Sequence, residues 1–190
     1  MKLLVYLEQE KILNIMRDKK QANPGVGGTT FTAARLAIAL KEEINKYDYQ
    51  IEIFITTQIK DFTYFHDIKV IPLSQISKYK FCCAIITGDL INSIFEKRIF
   101  INSKRFISCI RHPYDYDKIS KSKKIKAEIV SVSNSAYISN FFLCGPHNQI
   151  DNLFNATRIR KSLSIHEDSR RNLFIAKENK KILKIGFMGA

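Results

Sequence analysis

Short apolar runs alternate along this chain with longer stretches whose apolar residues recur every three to four positions. Residues 2–7 form the first run. Residues 31–47 carry Ala34, Leu36, Ala37, Ile38, Leu40 and Ile44 close to a 3.6-residue period, which predicts a helix about 25 Å long. Further runs predict strands over 51–57, 68–73, 81–87, 105–110, 127–133, 149–154 and 182–188. Helices are predicted over 90–96, 134–142 and 167–177. The run 81–87 is the most apolar, as expected of a central strand buried on both faces. Residues 9–22 are polar with scattered apolar positions and read as an excursion or loop. A dense turn cluster, NPGVGG at 23–28, separates them from the long helix, and Thr29 or Thr30 is predicted to cap that helix.

Strands alternating with helices predict an α/β fold, a Rossmann-like domain with a mostly parallel sheet covered on both faces. The last run, 182–188, is followed by no helix pattern before the sequence ends. A strand needs neighbours to satisfy its backbone. The expected organisation is therefore one domain over 1–178, then a linker and the first strand of a second domain over 179–190, a chain truncated within a larger protein.

Composition narrows the classes. Of 190 residues 45% are hydrophobic, with 7 Gly and 4 Pro, which fits a globular chain and excludes collagen-like or linker-rich ones. No run approaches the roughly 20 apolar residues of a membrane-spanning helix. The apolar run near the start is followed by Glu8 and Glu10 and by no small-residue cleavage site, so the expected location is the cytoplasm. Cys82, Cys83, Cys109 and Cys144 show no C-x-x-C spacing and read as buried, reduced thiols. The formal charge of +13 is ambiguous. It fits solvated surface charge, or a face for anionic lipid or an anionic acceptor, and it comes with no nucleic-acid motif. Lys and Arg are densest over 95–126 and 158–184.

The candidate chemistry begins with Gly25, Gly27 and Gly28, between a strand and a helix. Glycine permits positive φ and close backbone approach, and the helix N-terminus offers amides and a positive dipole end to a phosphate or carboxylate. No Lys-Ser/Thr follows the last glycine and G-x-G-x-x-G is incomplete, so neither common phosphate fingerprint applies. An anion site and a plain tight turn both remain open. His112 and Arg111 follow the strand at 105–110, where open α/β sheets present side chains to a ligand crevice. Arg111 suits bidentate contact with a phosphate. Asp115 and Asp117 form a D-x-D pair that reads either as a metal site or as acids at a helix start. Ser133, Asn134 and Ser135 suit an acceptor contact and a helix cap equally. Asp89, after Gly88, is open between a cap and a cleft residue. His66, His147 and His166 have no metal-like spacing.

NPGVGG at 23–28 followed by AARLAIAL at 33–40 resembles the opening of the family 4 retaining glycosyltransferases, of the two-domain GT-B type. Later segments fall in that family's order: FISCIRHP at 106–113, IVSVSNS at 129–135, DNLFN at 151–155 and IGFMGA at 185–190. Where members carry an acid soon after the double glycine, this chain has Thr29 and Thr30, and residues 8–22 depart from the family's short path. The resemblance implies the N-terminal half of a GT-B fold. It implies transfer of a sugar from a nucleotide-sugar donor to a hydroxyl of a cell-surface glycan or lipid-linked saccharide, with retention. Gly25, Gly27 and Gly28 would lie toward the donor diphosphate and His112 would help to hold substrate. Arg111, Ser133, Asn134 and Ser135 would meet the acceptor. It implies no metal, no cofactor beyond the donor, and little turnover by these 190 residues alone, while the basic stretches would hold the protein peripherally on the inner membrane face. The alternative is a stand-alone nucleotide- or phosphate-binding Rossmann-like module without catalysis.

Overall fold

The computed structural model describes residues 1–18, 23–145 and 148–149. Strand β1 (Lys2–Val5) leads through a short helix α1 (Ile12–Arg17) to the long helix α2 (Gly28–Lys46). Then come β2 (Glu52–Thr57), β3 (Thr63–Phe65), β4 (Ile68–Pro72) and a 3-10 helix (Leu73–Lys78). The second half runs β5 (Cys83–Thr87), α3 (Leu90–Glu96), β6 (Phe106–Ile110), α4 (Tyr116–Lys124), β7 (Glu128–Ser131), α5 (Asn134–Cys144) and β8 (Asn148–Gln149).

The strands form one sheet in the order β3-β4-β2-β1-β5-β6-β7-β8. Every pairing is parallel except β3 with β4. The order runs outward from β1 to one side, then from β5 to the other, so the connection direction reverses between β1 and β5. The protein is thus an α/β chain with a Rossmann-like sheet.

Alternation of side chains across the pleat builds two cores. Val5, Ile53, Ile55, Val70 and Ile85 face one layer, where they cluster with Ile12, Ile15 and Met16 of α1 and with Ala33, Ala34, Ala37 and Ile38 of α2. Leu4, Tyr6, Phe54, Ile71, Ala84 and Ile86 face the other, with Ile76 of the 3-10 helix and Ile91 and Ile94 of α3. A smaller cluster joins Ile110 and Ile129 to Ile119 of α4. The α2 alanines let that helix lie close on β1 and β5.

The described strands and helices follow the predicted pattern, with four physical differences. The excursion over 9–22 contains α1, whose apolar residues are buried although too few to mark a period. Gly27, not Thr29 or Thr30, stands at the N-cap of α2, one turn earlier than the apolar period suggests, and no side chain caps it. The antiparallel β3 interrupts the expected βα alternation with three residues, too short for pattern to reveal. Phe81 lies outside β5 and makes an isolated bridge with Ser103. Of the predicted strand at 149–154 only Gln149 is described; the elements at 167–177 and 182–188, and the boundary at 178–179, lie outside the described residues. No helix among the described residues is long and apolar enough to cross a membrane.

One polar cluster ties the layers together just beyond β1. Glu8 is buried, and its Oε1 accepts hydrogen bonds from Tyr6 Oη and, at 2.5 Å, from Ser93 Oγ. Its Oε2 meets Lys97 Nζ. Burial alone would raise the Glu8 carboxyl, but the bonds from Lys97, Ser93 and Tyr6 outweigh it and hold the group below its ordinary 4.5. Burial, with the Glu8 hydrogen bond, pushes the Tyr6 hydroxyl up. A carboxyl depressed on folding contributes stability above its unfolded value and loses it as pH falls through the folded one. Glu8→Gln should therefore destabilise the protein at pH 7 by about 1–3 kcal/mol. The gap to wild type should narrow as pH falls below 4.5, measured by urea denaturation across that range.

Candidate functional site

The connection direction reverses between β1 and β5, and sheets of this kind receive ligands in a crevice at the carboxyl ends of the strands beside such a reversal. The glycine loop enters it from the β1 side. Asn23 shapes that loop: its Oδ1 accepts from Gly25 N at 3.1 Å and Val26 N at 2.9 Å, and its Nδ2 donates to Val26 O at 2.7 Å. Val26 is buried and anchors the turn. Gly25 has φ +85°, a conformation that favours glycine. Gly27 differs. Its φ of −54° suits any residue, and an added Cβ would meet nothing within 4 Å. Neither conformation nor packing in the described fold calls for glycine at 27, so its smallness leaves open space over the backbone.

Gly28 begins α2, whose first bond runs from Phe31 N to Gly27 O at 3.0 Å. The amides of Gly28, Thr29 and Thr30 precede the helical ladder and no side chain caps them. They form the positive end of a 19-residue helix. Thr32 Oγ1 donates to Gly28 O at 2.6 Å and tightens the same turn.

β5 and β6 supply the opposite wall. Gly88 ends β5 with φ +51°. A Cβ there would stand 2.9 Å from Thr29 Cγ2 and 3.6 Å from Arg111 Cδ. Arg111, just after β6, donates from Nη1 to Thr29 Oγ1 at 2.8 Å. Gly88, Thr29 and Arg111 thus bring three distant segments together, and Arg111 meets the chain at Thr29, directly after the glycine loop. Thr87, fully buried before Gly88, has an Oγ1 with no hydrogen-bond partner in the described protein.

His112 is exposed on the loop that leaves β6. That loop is held from below. Buried Asn140 of α5 donates from Nδ2 to His112 O at 3.0 Å, and its Oδ1 accepts from Asp115 N at 3.1 Å. Between them Tyr114 takes φ +55°, a left-handed conformation that is uncommon outside glycine. Lys118 of α4, buried, bonds Asp115 Oδ2 at 2.7 Å and Asp89 Oδ1 at 2.9 Å. Burial would lower the Lys118 ammonium, but its bonds to Asp115 and Asp89 raise it. The Lys118 bond chiefly, against burial and with help from the charges of Lys118, His112 and Arg111, holds the Asp89 carboxyl below its usual range. Asp89 stands at the N-cap position of α3 but makes no side-chain cap there; its partner is Lys118. Asp115 pairs with Lys118 and Asp117 with Lys121, 2.7 Å each, so both acids of the D-x-D pair serve α4 as ion-pair partners. Among the described residues no three His, Cys, Asp or Glu gather as metal ligands.

The third predicted group lies one strand over. Ser133 caps α5, its Oγ accepting from Ala136 N at 3.1 Å. Asn134 opens that helix and Ser135 is exposed in its first turn. Their residue types predicted cap and acceptor contact alike, and the Ser133 cap is what the fold uses. Sequence reasoning missed the positioning pair Lys118 and Asn140 and the role of Gly88. A glycine directly after the most apolar strand was a visible signal; the partners of Lys118 and Asn140 were not. Cys109 is buried and its thiol is pushed up to about 12 by that burial, whereas Cys82 and Cys83 are half-buried rather than buried. A shallow cavity of about 760 Å³ opens elsewhere, along Gln58, Ile59, Leu73 and Ile99 beyond the ends of β2 and β4, and holds none of these groups.

No protein-family model, curated protein or solved structure matches the chain.

Gly88→Ala should strain the backbone and press on Thr29, at a cost of about 1–3 kcal/mol read as a fall in melting temperature. Adding Thr29→Ser, which removes the Cγ2 that the new methyl meets at 2.9 Å, should recover part of that loss but not the part due to φ.

Proposed function

We propose that the crevice between β1 and β5 binds the diphosphate of a nucleotide sugar, and that the chain works as the acceptor-side half of a retaining glycosyltransferase of the family 4 type. The observation that carries the phosphate part is the 2.8 Å bond between Arg111 and Thr29. It sets a guanidinium beside the first turn of α2, where amides and helix dipole already favour negative charge. Arg offers a planar fork that matches phosphate oxygens. Gly27 leaves the backbone open to close approach. The sugar-transfer part rests on the resemblance of the glycine loop, of the strand ending in Arg111 and His112, and of the segment at 129–135.

In this reading the leaving diphosphate gathers charge as the sugar departs. The α2 amides and Arg111 meet that charge with donors already in place, an electrostatic role that needs no proton transfer. His112, on a loop fixed by Asn140, Asp115 and Lys118, contacts the sugar and does not act as the base. The acceptor lies toward Ser133, Asn134 and Ser135. The protein works on the cytoplasmic side, near an anionic membrane. A nucleotide-binding module without catalysis would share the phosphate contacts and differ in having no sugar contact at His112.

The test is titration of the isotope-labelled chain with pyrophosphate, uridine diphosphate and a uridine diphosphate sugar, read by amide chemical shifts. Saturable shifts at residues 27–30 are expected with all three. Arg111→Ala should weaken each by at least about tenfold, the loss of a charged hydrogen bond, and Gly27→Val should do the same without lowering the melting temperature. Absence of shifts at 27–30 at millimolar ligand would refute the site. His112→Ala should weaken the nucleotide sugar and leave pyrophosphate unchanged; equal behaviour of the two would favour the binding module.

A further inference from the structure

The edge opposite the crevice, where the parallel strands begin, has its own chemistry. Lys2 opens β1, and Lys80 and Lys104 stand just before β5 and β6. With Glu52 and Phe81 they line a shallow pocket of about 350 Å³. Lys69 lies further along, on β4. Its Nζ stands 4.7 Å from the ring centre of Phe62, 5.3 Å from Tyr79, 5.8 Å from Phe54 and 5.8 Å from Tyr64. Lys2 Nζ stands 5.7 Å from the same Phe54 ring, which joins the two groups into one surface. Phe62 and Tyr64 are 55% and 57% exposed, large rings left outside the core. Glu52 is the acid lining the pocket, and Asp61 and Asp67 lie in sequence beside the aromatic strand.

We infer that this edge docks on an anionic lipid surface, Lys2, Lys69, Lys80 and Lys104 facing headgroup phosphates while Phe62 and Tyr64 enter the interfacial layer. Each lysine held near such a surface strengthens binding about fivefold. Aromatic rings favour the boundary between apolar and wet layers. The same rings suit single-stranded nucleic acid less well, because base stacking needs an open ring face. Phe62 and Tyr64 lie edge to face, 6.0 Å apart at 87°, and the Lys69 ammonium stands over both. The inference concerns a different surface from the crevice and stands without the nucleotide-sugar reading.

The chain has no tryptophan, so Phe62→Trp supplies a lone reporter at the surface. Its emission should shift to the blue with phosphatidylcholine vesicles that contain phosphatidylglycerol, and stay put with phosphatidylcholine alone. In a vesicle sedimentation assay, Lys80→Glu with Lys104→Glu should weaken binding at least about tenfold. Lys11→Glu with Arg17→Glu changes the net charge equally, and these residues bound α1, which packs in the layer opposite the Phe54 ring. It should weaken binding less than about threefold, as for charges screened beyond a Debye length. Equal losses for the two pairs would overturn the surface and leave only net charge. So would vesicle binding without a blue shift, or a larger response of the Phe62→Trp probe to oligouridylate than to anionic vesicles.

Discussion

Strand β1 is hydrogen-bonded along both edges, to β2 and to β5, and is buried on both faces. Everything else in the described fold is arranged around that constraint. A parallel neighbour can be reached only by a crossover, and each crossover must cover one face of the sheet. Once β2 and β4 have been laid on one side, the next strand takes the other edge of β1. The reversal leaves a gap above the two central strands that no crossover bridges. Thr29, Gly88 and Arg111 meet beside that reversal because the topology brings them there; they lie far apart in the chain.

The gap is also where the backbone is least able to satisfy itself. A helix begins with amides that its own ladder does not use, and α2 begins here without a side-chain cap. α5, by contrast, begins with Ser133 bonded to Ala136 N. Two helices on the same edge of one sheet therefore start differently. The capped one is complete in itself, while the uncapped one presents donors beside a guanidinium. The missing cap is not what sets α2 apart, since α3 and α4 also begin without one; the guanidinium of Arg111 beside its first turn is.

Much of the fold was legible because strand and helix periods are local. The runs 51–57, 68–73, 90–96 and 105–110 each match an element to within a residue or two. Elements too short to carry a period, α1 and β3, were not legible. The site was legible in its backbone parts, since glycines after strands and an Arg-His pair after another strand are sequence signals. Its supports were not. Lys118 bonds Asp89, and Asn140 bonds the His112 loop, across sequence gaps that no pattern spans, although the Lys118–Asp115 pair is a local i,i+3 contact. The stretch at 95–126, dense in lysine and arginine, is in part committed to ion pairs within the fold, a division that sequence alone left open. In the fold Lys97 meets Glu8, Arg105 meets Glu128, and Lys118 and Lys121 meet aspartates.

The net positive charge is sorted instead by strand direction. Helices that link parallel strands run back toward the edge where the strands begin, so their C-terminal turns collect there. Those turns favour cations, through the dipole and the last carbonyls. α2 carries Lys46 in its last turn, and α4 carries Lys121, Lys123 and Lys124. Lys123 Nζ donates to Leu143 O at 3.1 Å. The strand starts add Lys2, Lys80 and Lys104 to the same edge. Helix starts at the other edge hold no acid in their first turns, except Asp117 of α4. Such a helix start keeps its dipole for an incoming anion instead of neutralising it with a side chain. One topological rule, antiparallel helices over parallel strands, thus gathers helix-start amides at one edge of the described sheet and lysine at the other.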